Sequence, residues 1–191
     1  LERAARAPSG GNLQPWRVYA LGGEPLAALK ADVGARADIE PMEYEIYPES
    51  LWDPFRRRRF ENAEQLYASV GVPRDDKAAR LRWLARNANL FGAQAGLFFC
   101  IDRKLGRPQW ADLGMYMQNV MLLALEQGLD TCAQEFWAQY PLTVASHLDL
   151  PQDHMVFAGM ALGRRDPAHA REDQGESGGT NPATKTRSNH D

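Results

Sequence analysis

Cysteine is scarce. Cys100 and Cys132 are the only two in 191 residues, which excludes a disulfide-dense scaffold. Both lie in apolar, strand-like runs and read as buried, reduced thiols, which favours a cytoplasmic compartment. The four histidines (His147, His154, His169 and His190) form no ligand pair at helix spacing, and no Cys-x-x-Cys occurs, so no metal site is expected. No segment reaches the ~20 apolar residues that cross a bilayer, and no basic-then-apolar secretory start is present. A net charge of −3 gives no general attraction to nucleic acid or anionic membranes. Also missing are a Walker loop and a Gly-x-Gly-x-x-Gly turn. Ser9 has no histidine near it in sequence, and Gly10-Gly11 makes no nucleophile elbow. A chain so poor in catalytic sets suits chemistry carried by a cofactor, with the protein orienting and tuning it.

What is present is a core. Hydrophobic residues make up 44% of the chain, enough for one domain, read here as residues 1–163. Residues 164–191 carry nothing apolar larger than alanine and are expected to be a disordered tail. Residues 1–7 read as the last turns of a helix and 17–20 as a strand. A short helix follows over 25–35, then an irregular stretch over 38–55. Helices are expected over 56–70 and from the Asp75-Asp76 cap to about 92. The run Arg56-Arg57-Arg58-Arg59 reads as a solvated face rather than a phosphate site. Residues 96–101 are continuously apolar, the pattern of a buried strand. The longest helix covers 110–127. Its stripe of Trp110, Leu113, Met117, Val120, Met121 and Ala124 is joined by Met115, Tyr116, Leu122 and Leu123 on other faces. It is expected to be buried nearly all round, with a second subunit supplying part of the cover or, equally, as a simple core helix. Strands over 129–133 and 155–162 and a helix over 141–148 complete the pattern.

The segment Pro8-Ser9-Gly10-Gly11-Asn12-Leu13-Gln14-Pro15-Trp16 joins the first helical turns to the first strand. Paired glycines permit positive φ and close backbone approach to a flat ligand. Ser9, Asn12 and Gln14 supply neutral donors and acceptors suited to a heteroaromatic ring. Pro15 is expected to hold Gln14 extended.

This segment resembles the Pro-Ser-x-x-Asn-x-Gln-Pro-Trp signature of the nitroreductase family. Two further stretches are similar to that family in the same order. One runs from Trp110 through Asn119 and on through Gly128-Leu129-Asp130-Thr131-Cys132-Ala133-Gln134-Glu135; the other is Phe157-Ala158-Gly159-Met160-Ala161-Leu162-Gly163. The resemblance implies an α+β fold, with a central, largely antiparallel sheet flanked by helices. It also implies a homodimer holding FMN at the subunit interface, and transfer of hydride from NAD(P)H to the flavin and then to a nitroaromatic or quinone-like acceptor.

On this resemblance Pro8, Ser9, Gly10 and Asn12 touch the ribityl chain and ring of FMN. Ala133, Gln134 and Glu135 come from the other subunit, with a backbone N–H near Glu135 at the flavin N5. Phe136 and Trp137 shape the acceptor pocket or serve packing. The family places a basic or amide side chain toward the flavin pyrimidine from the region of Arg86-Asn87-Ala88-Asn89. Asn89 stands where a basic residue is expected, and Arg86 either compensates or lies on the surface. No side chain is assigned as catalytic. The family's Arg-x-Ser-x-Arg-like phosphate anchor precedes the first helix, and this sequence begins after its place; if the chain is complete as given, FMN affinity is expected to drop sharply. The rival to an enzyme is a flavin-binding remnant that folds without turnover. Reductive dehalogenation and flavin-consuming oxygenation are lesser alternatives on the same scaffold.

Overall fold

The computed structural model describes residues 1–166; the expected disorder of 167–191 lies outside the described residues. Residues 1–163, read as one domain, fall into two compact units, Leu1–Ile46 with Leu81–Arg165, and Tyr47–Arg80.

The larger unit is built on a four-stranded antiparallel sheet. Its strands are β1 (Arg17–Gly22), β2 (Ala95–Asp102), β3 (Asp130–Gln134) and β4 (His154–Gly163), in the order β1-β2-β4-β3. Helix α1 (Gly23–Gly34) follows β1, α4 (Arg107–Glu126) follows β2 and α5 (Pro141–Leu148) precedes β4. Successive strand residues face opposite ways, and both faces of this sheet are covered. Leu97, Phe99, Ile101 and Met160 pack with Leu113, Tyr116, Met117 and Val120 of α4. Phe98, Cys100, Val156 and Ala161 pack with Leu26 and Leu29 of α1, Val144 and Leu148 of α5, and Trp137. Two covered faces explain why β2 is apolar without alternation.

The register of β2 against β4 shifts between Phe99 and Cys100. Cys100 pairs with Val156 and Phe99 with Ala158, so Phe157 has no strand partner. This β-bulge turns both Phe157 and Ala158 toward the α4 layer.

The smaller unit contains α2 (Phe55–Ser69) and the start of α3, which runs Lys77–Ala85 across the division. Asp76 caps α3 through a bond from the Ala79 amide to its Oδ1, 2.8 Å. The arginine run is exposed: Arg56 pairs with Asp53 at 3.3 Å, Arg57 with Glu61 at 3.9 Å, and Arg59 lies over the Tyr47 ring at 4.2 Å.

Two expectations are corrected, at residues 1–7 and at Cys132, and the structure adds detail at α4 and at Arg164–Arg165. Residues 1–7 contain a 3₁₀ turn, Arg3–Arg6, rather than α-helix. Cys132 is exposed while Cys100 is buried, because β3 is an edge strand. Helix α4 is not covered all round within one chain: Met115, Leu122 and Leu125 are exposed on the face turned from the sheet. Arg164 and Arg165, placed in the tail, are described, and Arg165 is bound to Asp130. Its amide donates to Oδ2 and its Nε to Oδ1, each at 3.0 Å.

Candidate functional site

The segment from Pro8 to Gln14 winds through the left-handed region. Gly11, Asn12 and Gln14 have φ of 59°, 57° and 48°, a conformation costly for side chains other than Gly, Asn and Asp. Gln14 is therefore not extended, despite the proline after it. Two local bonds hold it: its amide donates to Ser9 Oγ at 3.0 Å, and its Nε2 donates to Asn12 Oδ1 at 3.0 Å. These bonds use the Asn12 carbonyl oxygen and leave its Nδ2 as a donor and Gln14 Oε1 as an acceptor. Pro8, Gly10 and Asn12 are exposed, and Ser9 is half-buried.

Helix α4 fastens this loop from beneath. The Gly10 amide donates to Asp112 Oδ2 at 3.2 Å, and Asp112 is buried. Trp16 stacks on Tyr116 with ring centroids 4.9 Å apart. Asn119 Nδ2 donates to the carbonyl of Ala4 at 3.3 Å. Asp112, Tyr116 and Asn119 recur at helical spacing on one side of α4, which is why one helix can hold the whole approach to β1. From the sequence, Tyr116 reads as an apolar residue of α4, and Asp112 and Asn119 have no role. An acid placed within an apolar helix was the available signal.

The second group lies past the end of β3, at the other edge of the sheet. Tyr19, Phe98, Gly159 and Gln134 stand in one row across β1, β2, β4 and β3. Three interstrand steps of about 4.8 Å separate its ends by ~14 Å. Within one chain the two halves of the expected flavin site therefore sit on opposite sheet edges.

Burial divides the second group. Ala133 and Glu135 are exposed, whereas Gln134 is buried. Gln134 Nε2 donates to Asn87 Oδ1 at 2.7 Å, and its Oε1 accepts from Trp137 Nε1 at 3.3 Å. Its amide is thereby spent on joining the β3 end to the turn at Asn87. Trp137 is fully buried. A Cβ on Gly159 would stand 2.7 Å from Trp137 Cγ, and Phe98 meets the indole edge-on at 5.2 Å. Within this chain Trp137 is packed into the core. Phe136 is half-buried against Trp137 and Tyr140.

The guanidinium of Arg86 lies 4.4 Å from the Trp83 ring centroid and 5.4 Å from that of Phe91, a cation–π placement. Asn89 is exposed at a kink, followed by Leu90 and Phe91 with φ of 49° and 51°. Asn87, assigned no role from the sequence, is the member of this turn that reaches the β3 end.

One further residue joins the second group from the irregular stretch. The Tyr44 hydroxyl donates to the carbonyl of Phe157, the bulged residue of β4. Burial, and secondarily the negative charge of Glu135, raises the Tyr44 pKa.

The chain matches the model of the Nitroreductase family over residues 1–164. It is 39% identical over 171 residues to a nitrobenzene nitroreductase from Ectopseudomonas oleovorans, covering 87% of this chain and 75% of that relative. Among solved structures, an FMN and NADPH-dependent nitroreductase, NfnB from Sphigopyxis sp. strain HMH, is similar with a TM-score of 0.83 and 46% identity. The similarity covers 88% of this chain and 78% of the other. The FMN-dependent nitroreductase NfnB from Mycobacterium smegmatis, in complex with NADPH, gives a TM-score of 0.82 at 25% identity, over 88% of this chain and 77% of that one.

Proposed function

Because the chain belongs to the nitroreductase family, we propose that it is an FMN-dependent oxidoreductase that uses NAD(P)H to reduce nitroaromatic or quinone-like acceptors. The observation that carries this reading is the left-handed Ser9–Gln14 loop fixed to α4 through Gly10 and Asp112. Its remaining donor and acceptor, Asn12 Nδ2 and Gln14 Oε1, have the chemistry to meet a ring edge bearing carbonyls and ring nitrogens. The exposed, glycine-containing backbone beside them admits a flat ligand. The residues present fit the ring of FMN.

When bound, FMN supplies the two-electron chemistry between NAD(P)H and the acceptor. The chain supplies orientation. Asp112 fixes the backbone of Gly10, Ser9 fixes that of Gln14, and Asn12 presents a donor to the ring from an already ordered loop. Preorganisation of this kind lowers the entropy lost on binding. Ala133, Glu135 and Phe136 belong to the ring edge and acceptor side, with the backbone near Glu135 directing a donor at the reacting position.

The protein works as a homodimer in this reading. The ~14 Å across the sheet keeps the two halves of the site apart within one chain; a second copy brings Ala133 and Glu135 of the partner subunit to the loop. The exposed apolar face of α4, with Met115, Leu122 and Leu125, is the surface such a copy would cover. Among the described residues no helix is long and apolar enough to cross a membrane, and a cytoplasmic location belongs to the same proposal.

The test is direct. After incubation with FMN and desalting, the chain should retain a protein-bound flavin band. NADPH should bleach that band under anaerobic conditions, and 4-nitrobenzoate or a quinone should restore it. A folded chain that retains flavin without NADPH oxidation would favour the non-catalytic remnant.

A further inference from the structure

The irregular stretch after α1 is fastened at three points around the turn that carries Glu135. At one end the Glu40 amide donates to the carbonyl of Gln139 at 2.9 Å. The Glu40 carboxylate, almost wholly buried at 8% exposure, reaches the first turn of α5. The Leu142 and Thr143 amides donate to Glu40 Oε2 at 2.7 and 3.1 Å, and the Thr143 hydroxyl donates to Oε1. Tyr140, the residue at the N-cap position, makes no side-chain cap bond, so Glu40 satisfies helix donors that the local sequence leaves open. Arg36 balances the carboxylate at 3.1 Å.

Further along, Glu43 pairs with Arg103 beyond the end of β2. At the far end the Tyr44 hydroxyl donates to the Phe157 carbonyl. The bulge leaves Phe157 unpaired in the β2–β4 ladder, and a bulged carbonyl needs a partner from elsewhere. The Tyr44 ring is held in turn, stacked on Phe157 at 5.7 Å and edge-on to Trp110 at 5.4 Å. Two residues past the bulge, Gly159 pairs with Gln134, the residue before Glu135. The 3₁₀ turn Glu135–Gln139 is therefore gripped at Gln139 by Glu40, and on its β4 side by Tyr44.

We propose that Glu40 and Tyr44 are positioning residues: they form a brace that fixes the Glu135–Gln139 turn in the geometry the redox reaction uses. The functional half of this rests on the flavin-dependent reading above; the brace itself rests on the bonds alone. The bonds of both residues go to the backbone and side chains that frame the turn. Both act through the turn they hold, and a small error in its placement is enough to lower turnover.

The main variant is Tyr44→Phe, which keeps the ring and removes the donor. Hydrogen exchange of the 135–139 amides is compared with that of wild type in the protein as purified, and then with FMN bound. Exchange should rise several-fold in this segment and stay unchanged in α1. With flavin bound stoichiometrically, kcat should fall several-fold while KM for 4-nitrobenzoate stays within about twofold, and the visible circular dichroism of the bound flavin should change. Unchanged exchange at 135–139 overturns the brace. Faster exchange with unaltered kcat and dichroism overturns its role in the reaction. If wild type binds no FMN, the proposed function fails, and the exchange measurement still decides the brace. Should Tyr44→Phe not fold, Glu40→Gln replaces it. Faster exchange at 138–143 supports the grip on Gln139, and wild-type protection there overturns it.

Discussion

The Gly10 amide and the Asp112 carboxylate meet at 3.2 Å across 102 residues of sequence. This bond ties the signature loop to the central helix and fixes the direction in which the neighbouring Ser9 and Asn12 are presented. A buried carboxylate costs desolvation unless donors reach it, and the Gly10 N–H is such a donor.

Replacing Asp112 with alanine removes the acceptor and frees the loop. A loss of about 1.5–3 kcal/mol in stability is expected, the range for a hydrogen bond to a charged group, with weaker FMN binding. Urea unfolding and a flavin fluorescence titration read the two effects separately. An unchanged flavin Kd would show that the loop keeps its shape without Asp112.

Asn12→Ala should act on the ligand and not on the fold. Asn12 is exposed, so melting should change little. FMN binding should weaken by about five- to tenfold, the equivalent of one hydrogen bond of ~1 kcal/mol or slightly more. A Kd equal to that of wild type would remove Asn12 from the flavin site.

Gly159→Ala tests the packing assigned to Trp137. The added Cβ would lie 2.7 Å from Trp137 Cγ, and the indole is fully buried with no room to retreat. Overpacking of this kind costs about 1–3 kcal/mol. Differential scanning calorimetry should show a clear fall in Tm. A Tm equal to that of wild type would mean Trp137 moves freely, and would return it to the acceptor pocket.

Asp130 and Arg165 give a pH signature. The hydrogen bonds and charge of Arg165 hold the Asp130 carboxyl below its ordinary pKa. A carboxylate that is more acidic when folded adds stability above its unfolded pKa, and the gain disappears as pH falls through the folded value. Asp130→Asn should therefore cost about 0.2–1 kcal/mol at pH 7, as for a partly exposed pair. The difference should close below pH ~4. A gap that persists at pH 2 would assign the effect to something other than this ion pair.

The two thiols should separate by reactivity. Cys100 is buried, and desolvation pushes its pKa up to about 12, so almost none is thiolate at neutral pH. Cys132 is exposed on the edge strand β3. A disulfide reagent should titrate one thiol in the native protein and two after denaturation. Two fast thiols in the native state would show that the core around Cys100 opens readily.

Local sequence by itself determined the elements. The apolar run of β2, the Asp76 cap of α3, and Pro141 at the start of α5 each act within a few residues, so the chain displays them directly. The loop signature and its order relative to α4 and β4 likewise pointed to the family. Tertiary structure decided what depends on partners distant in sequence. Gln14 takes positive φ because Ser9 and Asn12 bind it, against the extended bias of the proline beside it. Gln134 and Trp137 are buried in this chain, Gln134 bonded to Asn87 and the Trp137 indole filling the space that Gly159, with no side chain, leaves open. Glu40 and Tyr44 sit in a stretch without periodicity, and their partners lie about 100 residues further along the chain. Hydrogen bonds of that span leave no trace in local pattern; only the folded sheet, with its bulge at Phe157, brings the donor to the acceptor.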